Sequence, residues 1–470
     1  MGTINSAFSL ISQALQADQS GLSIVANNVA NANTVGYTEE TPNWQQNRPI
    51  EVGGVLYGDG VTQAGPMSVR DKVLEERLNQ QHQAASASDA RLTALDALQA
   101  LFAPASGSAS STAGNIGSDI TGFFSSFSSL EANSNSNALR QQVLSAAATL
   151  AGDVSNAAAS VNAQRSALDQ EAAGVSSQVN SLTGSIAQLN KQIQSNSPGA
   201  DAGTLEDQRQ QYLTQLSKLI GINQVTTENN GLSITTTSGE LLVSEGRSFQ
   251  LTAGPLGGVT HFFLGTSDVT ASLATGAGSL GGLLTARDQD IPNALTALDQ
   301  LAYNVSTQIN TQNSAGADLA GHNGNAGSIF SAPAAVAGSA ASMSVTMTDP
   351  NLIAAAGLGQ GTGDNSNATS MAGLAGMTIV NGQTPINYFS NFVSTLGATV
   401  SSVQTENTAQ TASVTQLQTQ RDALSGVNLN NEASALTMLE RSYQAASQVF
   451  GLLNTVMASA LNLGTQTTVS

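Results

Sequence analysis

The chain has 470 residues, with 14 Lys and Arg against 32 Asp and Glu, and it contains no cysteine. Its net charge of −18 on a chain only 10% charged reflects scarcity of bases, so a phosphate-binding surface for DNA or RNA is excluded as a general role. The absence of cysteine rules out disulfides, iron–sulfur clusters, thiolate zinc sites and cysteine nucleophiles. With 40% hydrophobic residues but only 12 Phe, 6 Tyr and 1 Trp, a core is available and must be mostly aliphatic.

The N-terminus has no basic segment ahead of an apolar run, since the first basic residue is Arg48, so no secretory signal is expected. Apolar residues instead recur at steps of four and three: Ile4, Phe8, Ile11, Leu15, then Asp18 as a break, Leu22, Val25, Val29 and Ala32. That spacing is a heptad seam on an amphipathic helix. Beside it stand Asn27, Asn28 and Asn31, whose amides can bond across a helix interface, and then Asn33, which with Thr34 favours a cap or turn. Gly36 before Tyr37 permits a positive φ that ends the helix sharply.

Interior seams run from Leu74 to Phe102, from Val161 to Ile193, and from Val393 to Leu424 with Arg421 as a break. A further helix is expected over 291–311, with Leu295, Leu298, Ala302, Val305 and Ile309 on one face. Between Ile222 and Leu273 the period changes from 3.6 to 2. Turn signals at Asn230-Gly231 and Ser238-Gly239 divide Thr-rich runs, which implies a small antiparallel β insertion. Met343, Val345 and Met347 suggest one more short strand, and 104–118 and 356–370 read as loops. The C-terminal segment returns to the heptad with Leu436, Leu439, Tyr443, Ala446, Phe450, Leu453, Met457 and Ala460. The fold expected is mainly α: a long helical coiled-coil or bundle rod built from both termini and the middle. Its divisions are 1–45 with 426–470 as a terminal coiled coil, 46–221 with 285–425 as a helical rod, and 222–284 as the inserted β domain.

Catalytic chemistry finds no footing. His82, His261 and His322 lie in unrelated contexts with no metal-ligand spacing, and no G-x-S-x-G elbow occurs. The single G-x-G-x-x-G match, at Gly276, Gly278 and Gly281, lacks a buried strand before it, and Asp364, Asn365 and Asn367 are too irregular for a calcium loop. No cofactor is expected. No apolar run approaches the roughly 18 residues of a membrane span, so neither is membrane insertion. Two seams at opposite ends of one chain can pack on each other and leave outer faces for neighbouring molecules, a geometry suited to self-assembly.

The run from Ala26 to Thr38, with Asn27-Asn28, Asn31, Asn33-Thr34 and Gly36-Tyr37, resembles the N-terminal signature of bacterial flagellar rod, hook and hook-associated axial proteins. Ser425-Gly426-Val427-Asn428-Leu429, continuing to Tyr443-Gln444-Ala445-Ala446, resembles the C-terminal signature, in the form found in the FlgK family. Leu139–Leu144, Ile186–Asn190, Leu216–Gly221, Gly281–Asp288 and Gly316–Gly321 are similar to the same family, while Glu39 and Asn430-Asn431 depart from its usual residues. The resemblance implies paired axial termini and a structural role at the hook–filament junction. It also implies export in unfolded form through the flagellar type III channel. Partners implied are other copies of the chain, the hook protein, a second junction protein or the flagellin side of the filament, and a cytoplasmic chaperone of the FlgN type on the C-terminal helix. Another axial component, such as a hook or distal rod protein, is the nearest alternative, and a secreted adhesin or hydrolase is the alternative of another class.

Overall fold

The computed structural model describes residues 2–34, 36–52, 54–103, 115–195, 203–227 and 230–465, with side chains between 6 and 461. Its spine is α4 (Asn137–Ser195), a helix of 59 residues and about 90 Å. Val143, Ala147, Leu150, Val154, Val161, Leu168, Ala172, Val175, Val179, Ile186 and Ile193 form a buried stripe along it, at the three–four spacing that keeps one face inward.

Against this spine and each other pack α2 (Lys72–Phe102), α3 (Ile116–Ala132), α5 (Thr204–Leu219), α8 (Ile291–Ser314) and α10 (Pro385–Ser425). Local sequence fixes where they begin. The Asp71 carboxylate accepts from the amides of Val73 and Leu74, both at 3.0 Å, and so caps α2. Thr384 caps α10, with Pro385 at its first position. At one end of the body Phe123, Phe127 and Phe330 are fully buried, with Phe123 to Phe330 at 5.4 Å between ring centroids.

Seven strands follow α5. β5 (Ile222–Thr226), β6 (Leu232–Thr236), β7 (Leu241–Ser244) and β8 (Arg247–Ser248) form one antiparallel sheet. β9 (Leu251–Leu256), β10 (Val259–Leu264) and β11 (Ser267–Asp268) form another. Asn230 and Gly239 adopt positive φ, which is why the turns fall there. The sheets bury Ile234, Leu242, Val243, Leu251 and Phe262 and are tied to the spine by its amides. Asn180 exchanges two 2.8 Å bonds with the Leu251 backbone, and Asn190 donates to Leu232 O at 2.7 Å. Two short helices, α6 (Thr270–Ala274) and α7 (Gly278–Thr285), return the chain to α8 through a π-helical turn, Ala286–Asp290. Gly278 has positive φ and lies against the Ile220 backbone, so the glycine-rich match serves close packing.

Two local features differ from the periodicity. Met343–Met347 forms no strand; only Val345 bridges Phe330, because that irregular stretch has no extended neighbour to pair with. Residues 40–68, unmarked by alternation, form a ribbon in which β1 (Glu40–Gln46) pairs with β4 (Val61–Ser68). It carries at its far end a hairpin of β2 (Ile50–Val52) and β3 (Val55–Tyr57). The stretch 356–370 is in part helical, since α9 (Ser366–Gly373) begins within it; of 104–118, residues 104–114 lie outside the described residues.

Candidate self-assembly site

The two ends of the chain meet. α1 (Gly2–Asn31) and α11 (Leu429–Thr465) run antiparallel: Phe8 stacks on Phe450 with ring centroids 4.5 Å apart, Gly21 faces Leu439, and Asn28 faces Glu432. A Cβ at Gly21 would lie 3.0 Å from Leu439 Cδ2, so glycine sets how closely the helices approach at their middle.

The seam is only partly where the heptad puts it. Phe8, Ile11, Leu15 and Leu22 are half-buried, Val25 is buried, and Val29 is 47% exposed; the Ile4 side chain lies outside the described residues. On α11, Leu439 is buried and Ala446, Phe450, Leu453 and Met457 are half-buried toward α1, whereas Leu436 and Tyr443 point outward. Asp18 and Val25 are buried on the heptad, whereas Gly21 and Asn28 are buried in place of Leu22 and Val29, one residue off it, as the drift of an α-helix of 3.6 residues per turn brings about. α11 therefore keeps a second apolar stripe facing solvent, with Met438 66% exposed, Leu452 65%, and Val449 and Val456 each 45%.

The asparagines build the joint between this pair and the body. Asn28 is buried and saturates its amide. Its Nδ2 donates to Glu40 O (2.8 Å) and Glu432 Oε1 (3.0 Å), and its Oδ1 accepts from Tyr37 OH (2.9 Å) and Glu40 N (3.0 Å). Asn27 donates to the Tyr37 hydroxyl at 3.3 Å. Asn31 bonds back to Asn27, and its Oδ1 accepts from Thr34 Oγ1 at 3.3 Å, closing the helix end. Asn33 is exposed in the turn that follows, and Gly36 has φ +83°. Burial first, then the carboxylates of Glu40, Asp207, Glu432 and Glu39, push the Tyr37 phenol well above its ordinary value, so it stays a donor at any physiological pH. Burial also raises the Glu432 carboxyl, as does the charge of Glu39, against the amide of Asn28.

Arg421, the residue that breaks the third interior seam, holds the joint from the body side. Its Nη2 donates to Gly36 O (2.8 Å), Tyr37 O (3.1 Å) and Thr38 Oγ1 (3.3 Å), while its Nε donates to Glu75 of α2 at 3.1 Å. Asp207 of α5 accepts from Thr38 N at 3.3 Å and pairs with Arg70. Ser425 accepts from Glu39 N and donates to Val69 O, both at 2.9 Å. Periodicity named neither Glu75, Asp207 nor Arg70; a buried-seam arginine was the one signal available. Of the departures from the family pattern, Asn430 and Asn431 are exposed in the first turn of α11, and Glu39 engages through its backbone.

Among the described residues no group of three His, Cys, Asp or Glu side chains is placed to hold a metal ion, and no helix is long and apolar enough to cross a membrane. What the site offers is a polar knuckle carrying a helix pair with few charges, Asp18 on α1 and Glu432, Glu440 and Arg441 on α11.

Comparison with known proteins agrees with that form. The family model of the flagellar hook-associated protein FlgK helical domain matches residues 106–330, and the flagella basal body rod protein model matches 12–38. Flagellar hook-associated protein 1 of Salmonella typhimurium is 25% identical, over 96% of this chain and 98% of its own length. The protein of that name from Bacillus subtilis is also 25% identical, over 96% of each chain. In fold, the chain is similar to the flagellar hook junction protein FlgK from Burkholderia pseudomallei. The TM-score is 0.66 at 17% identity, covering 74% of this chain and 99% of that one. With a helical-domain match over 106–330 and relatives matched over nearly their whole length, the chain is similar from end to end to flagellar hook-associated protein 1.

Proposed function

We propose that the chain polymerises through the outer faces of its terminal helix pair, with 1–45 and 426–470 as the axial unit. The helical rod, 46–221 with 285–425, lies outside it, and the β insertion, 222–284, is peripheral. The protein is a structural component of the flagellum at the hook–filament junction and not an enzyme. The packing residues are Phe8, Ile11, Leu15, Leu22, Val25, Leu439, Ala446, Phe450, Leu453 and Met457 within a subunit. Val29, Leu436 and Tyr443 face neighbours, and Ile4 continues the seam. Asn27, Asn28, Asn31, Asn33, Gly36 and Tyr37 form the joint.

The observation that carries this reading is the chemistry of α11. From Ser442 to Leu461 it has no charged residue, yet its outer stripe of Met438, Val449, Leu452 and Val456 meets water. An apolar stripe of that length on a soluble chain marks an interface. The hook protein on one side, a second junction protein or flagellin on the other, and further copies of this chain are the partners that position implies. Before export through the flagellar type III channel the same stripe needs cover, which a helical chaperone of the FlgN type would supply.

Leu452→Asp tests it. The side chain is exposed in the single subunit, so the monomer should keep its helical signal and melting temperature. A carboxylate trapped unpaired in a subunit interface costs several kcal/mol. Cells carrying the variant should export a folded protein, form no junction and shed flagellin. Normal swimming with Leu452→Asp in the flagellum would overturn the reading.

A further inference from the structure

The ribbon that carries the β2–β3 hairpin packs along α1, and only its base at Glu40 also reaches Gly203 at the start of α5 among the contacts of the described residues. Gln63 bonds Ser20, Asn47 Nδ2 donates to Gln13 at 3.2 Å, and Gly60 abuts Gln13 and Leu10. Going outward along the ribbon these contacts climb α1 toward its N-terminus, from residue 20 to 13 to 10. The hairpin therefore emerges beside the first turns of α1. Phe8 stacks on Phe450, so that level of α1 is the level of α11 at which Val449, Leu452 and Val456 are exposed. The hairpin projects from the α1 flank, and the bare stripe occupies the α11 flank of the same pair.

The hairpin has no core of its own. Val55 and Tyr57 point to one face and Leu56, 69% exposed, to the other, and all three stand in solvent. Among the described residues, these two strands of three residues, exposed on both faces at Val55, Leu56 and Tyr57, pack chiefly on each other. Such an isolated pair is marginal in water. The charged residues in and beside it are few and of both signs, Arg48, Glu51 and Asp59, as are those at the top of the bare stripe, Glu440 and Arg441. The two surfaces are thus alike in polarity, equal in height and opposite in direction. That is the requirement for a heterologous contact, in which one patch of each copy meets a different patch of the next and the series turns about an axis.

Resting on the reading of the chain as a self-assembling subunit, we infer that the β2–β3 hairpin of one copy docks on the outer stripe of α11 of the adjacent copy, around Val449, Leu452 and Val456. The contact is lateral, so it joins neighbours within one layer rather than successive layers.

The cysteine-free chain makes the test direct. Two single variants, Leu56→Cys and Leu452→Cys, are expressed together in cells lacking the native protein, and isolated hook–filament assemblies are treated with a short bis-maleimide. A covalent dimer of the full chain should form in the mixture at least tenfold more than with either variant alone. Tyr57→Cys with Val456→Cys repeats the test, should one of the first pair perturb folding. Swimming cells whose junctions contain both variants but give no mixed dimer from either pair would overturn the contact while leaving self-assembly standing. Cross-linking of position 56 to another flagellar protein would also overturn it. Absence of the chain from isolated assemblies of a swimming strain would instead overturn the assembly reading, and the contact with it.

Discussion

The body and the terminal pair use the same three–four spacing and end in opposite states. In the body, α4 hides nearly every apolar position of its stripe, and Phe123, Phe127, Val143, Val161 and Val179 are wholly inaccessible. In the pair, α11 fully buries Leu439 and leaves Met438, Val449, Leu452 and Val456 in water. The body is therefore a finished core, whereas the pair is half of one. The difference shows what heptad spacing reports: it says that a helix has a partner, not whether that partner lies in the same chain. Isolated helices derive little stability from propensity, so the unfinished pair should open while the body stays closed.

The largest effect expected from this contrast is at Phe127. Phe127→Ala removes a ring from a cluster with no exposed surface and should cost the body about 3–5 kcal/mol in urea denaturation followed by circular dichroism. Leu439→Ala, an equally apolar change at the middle of the pair, should leave that main transition in place. It should abolish slow hydrogen exchange in residues 6–31 and 432–457 only. If the two variants shifted the main transition equally, the terminal pair would be part of the same cooperative unit and the contrast would fail.

The joint that connects the two regions gives the next effect. Arg421 and Glu75 are both nearly buried, and removing one partner of such a pair typically costs about 3–5 kcal/mol, because the other charge is left without compensation. Part of that loss is recovered here, since a site at the body's edge lets water reach Glu75, so the global change should fall below that for Phe127→Ala. Arg421→Met should free Gly36 O and Tyr37 O and release the pair from the body. The expected readout is faster amide exchange at 36–40 and 425–432 and an increased radius in small-angle scattering. Adding Glu75→Gln should restore stability but not the orientation of the pair. Unchanged exchange at the joint in Arg421→Met would show that the asparagine network alone holds it.

How much of this was legible in the sequence follows from what each residue type must do. The helix expected over 291–311 is Ile291–Ser314, because a one-faced apolar stripe and Pro292 at its start specify both location and direction. The β turns fall at Asn230 and Gly239 because few residues tolerate their backbone angles. The ribbon over 40–68 left no such trace. It has no buried face and lies on α1 through the amides of Asn47 and Gln63, so nothing imposes alternation on Glu40–Gln46. The joint was half legible. Asn28, Gly36 and Tyr37 stood out, but Arg421, which binds the Gly36 and Tyr37 carbonyls, lies hundreds of residues away, and Glu75 and Asp207, which bind Arg421 and Thr38, are polar residues that no apolar stripe marks. Val29, Leu436 and Tyr443 fit the heptad and miss the intrachain seam, since both terminal helices are apolar on more than one face.

The smallest effect expected lies where α3 meets α4. Asp119 in the first turn of α3 faces Asp153 of α4, and its carboxyl is raised from 3.8 to about 6. Burial is the main cause, followed by the hydrogen bond and the charge of Asp153. The N-terminus of α3 works against this, since it favours an anion by about 0.3–1 kcal/mol at such a position, so burial and the second carboxylate outweigh the helix dipole. The sign of the pH dependence follows. The folded state holds this proton more tightly than the unfolded chain does, so the contribution of Asp119 to stability is fully present below about pH 4 and is lost as pH rises through about 6. Asp119→Asn keeps a neutral side chain of the same shape at every pH. It should melt slightly higher than the parent at pH 7.5, and the difference should vanish at pH 4, where the native residue is itself neutral. The measurement is a pair of melting curves at each pH. A variant that melted lower than the parent at pH 7.5 would mean that the Asp119 carboxylate is stabilising, and that even in the finished core this helix end is governed by its dipole rather than by its burial.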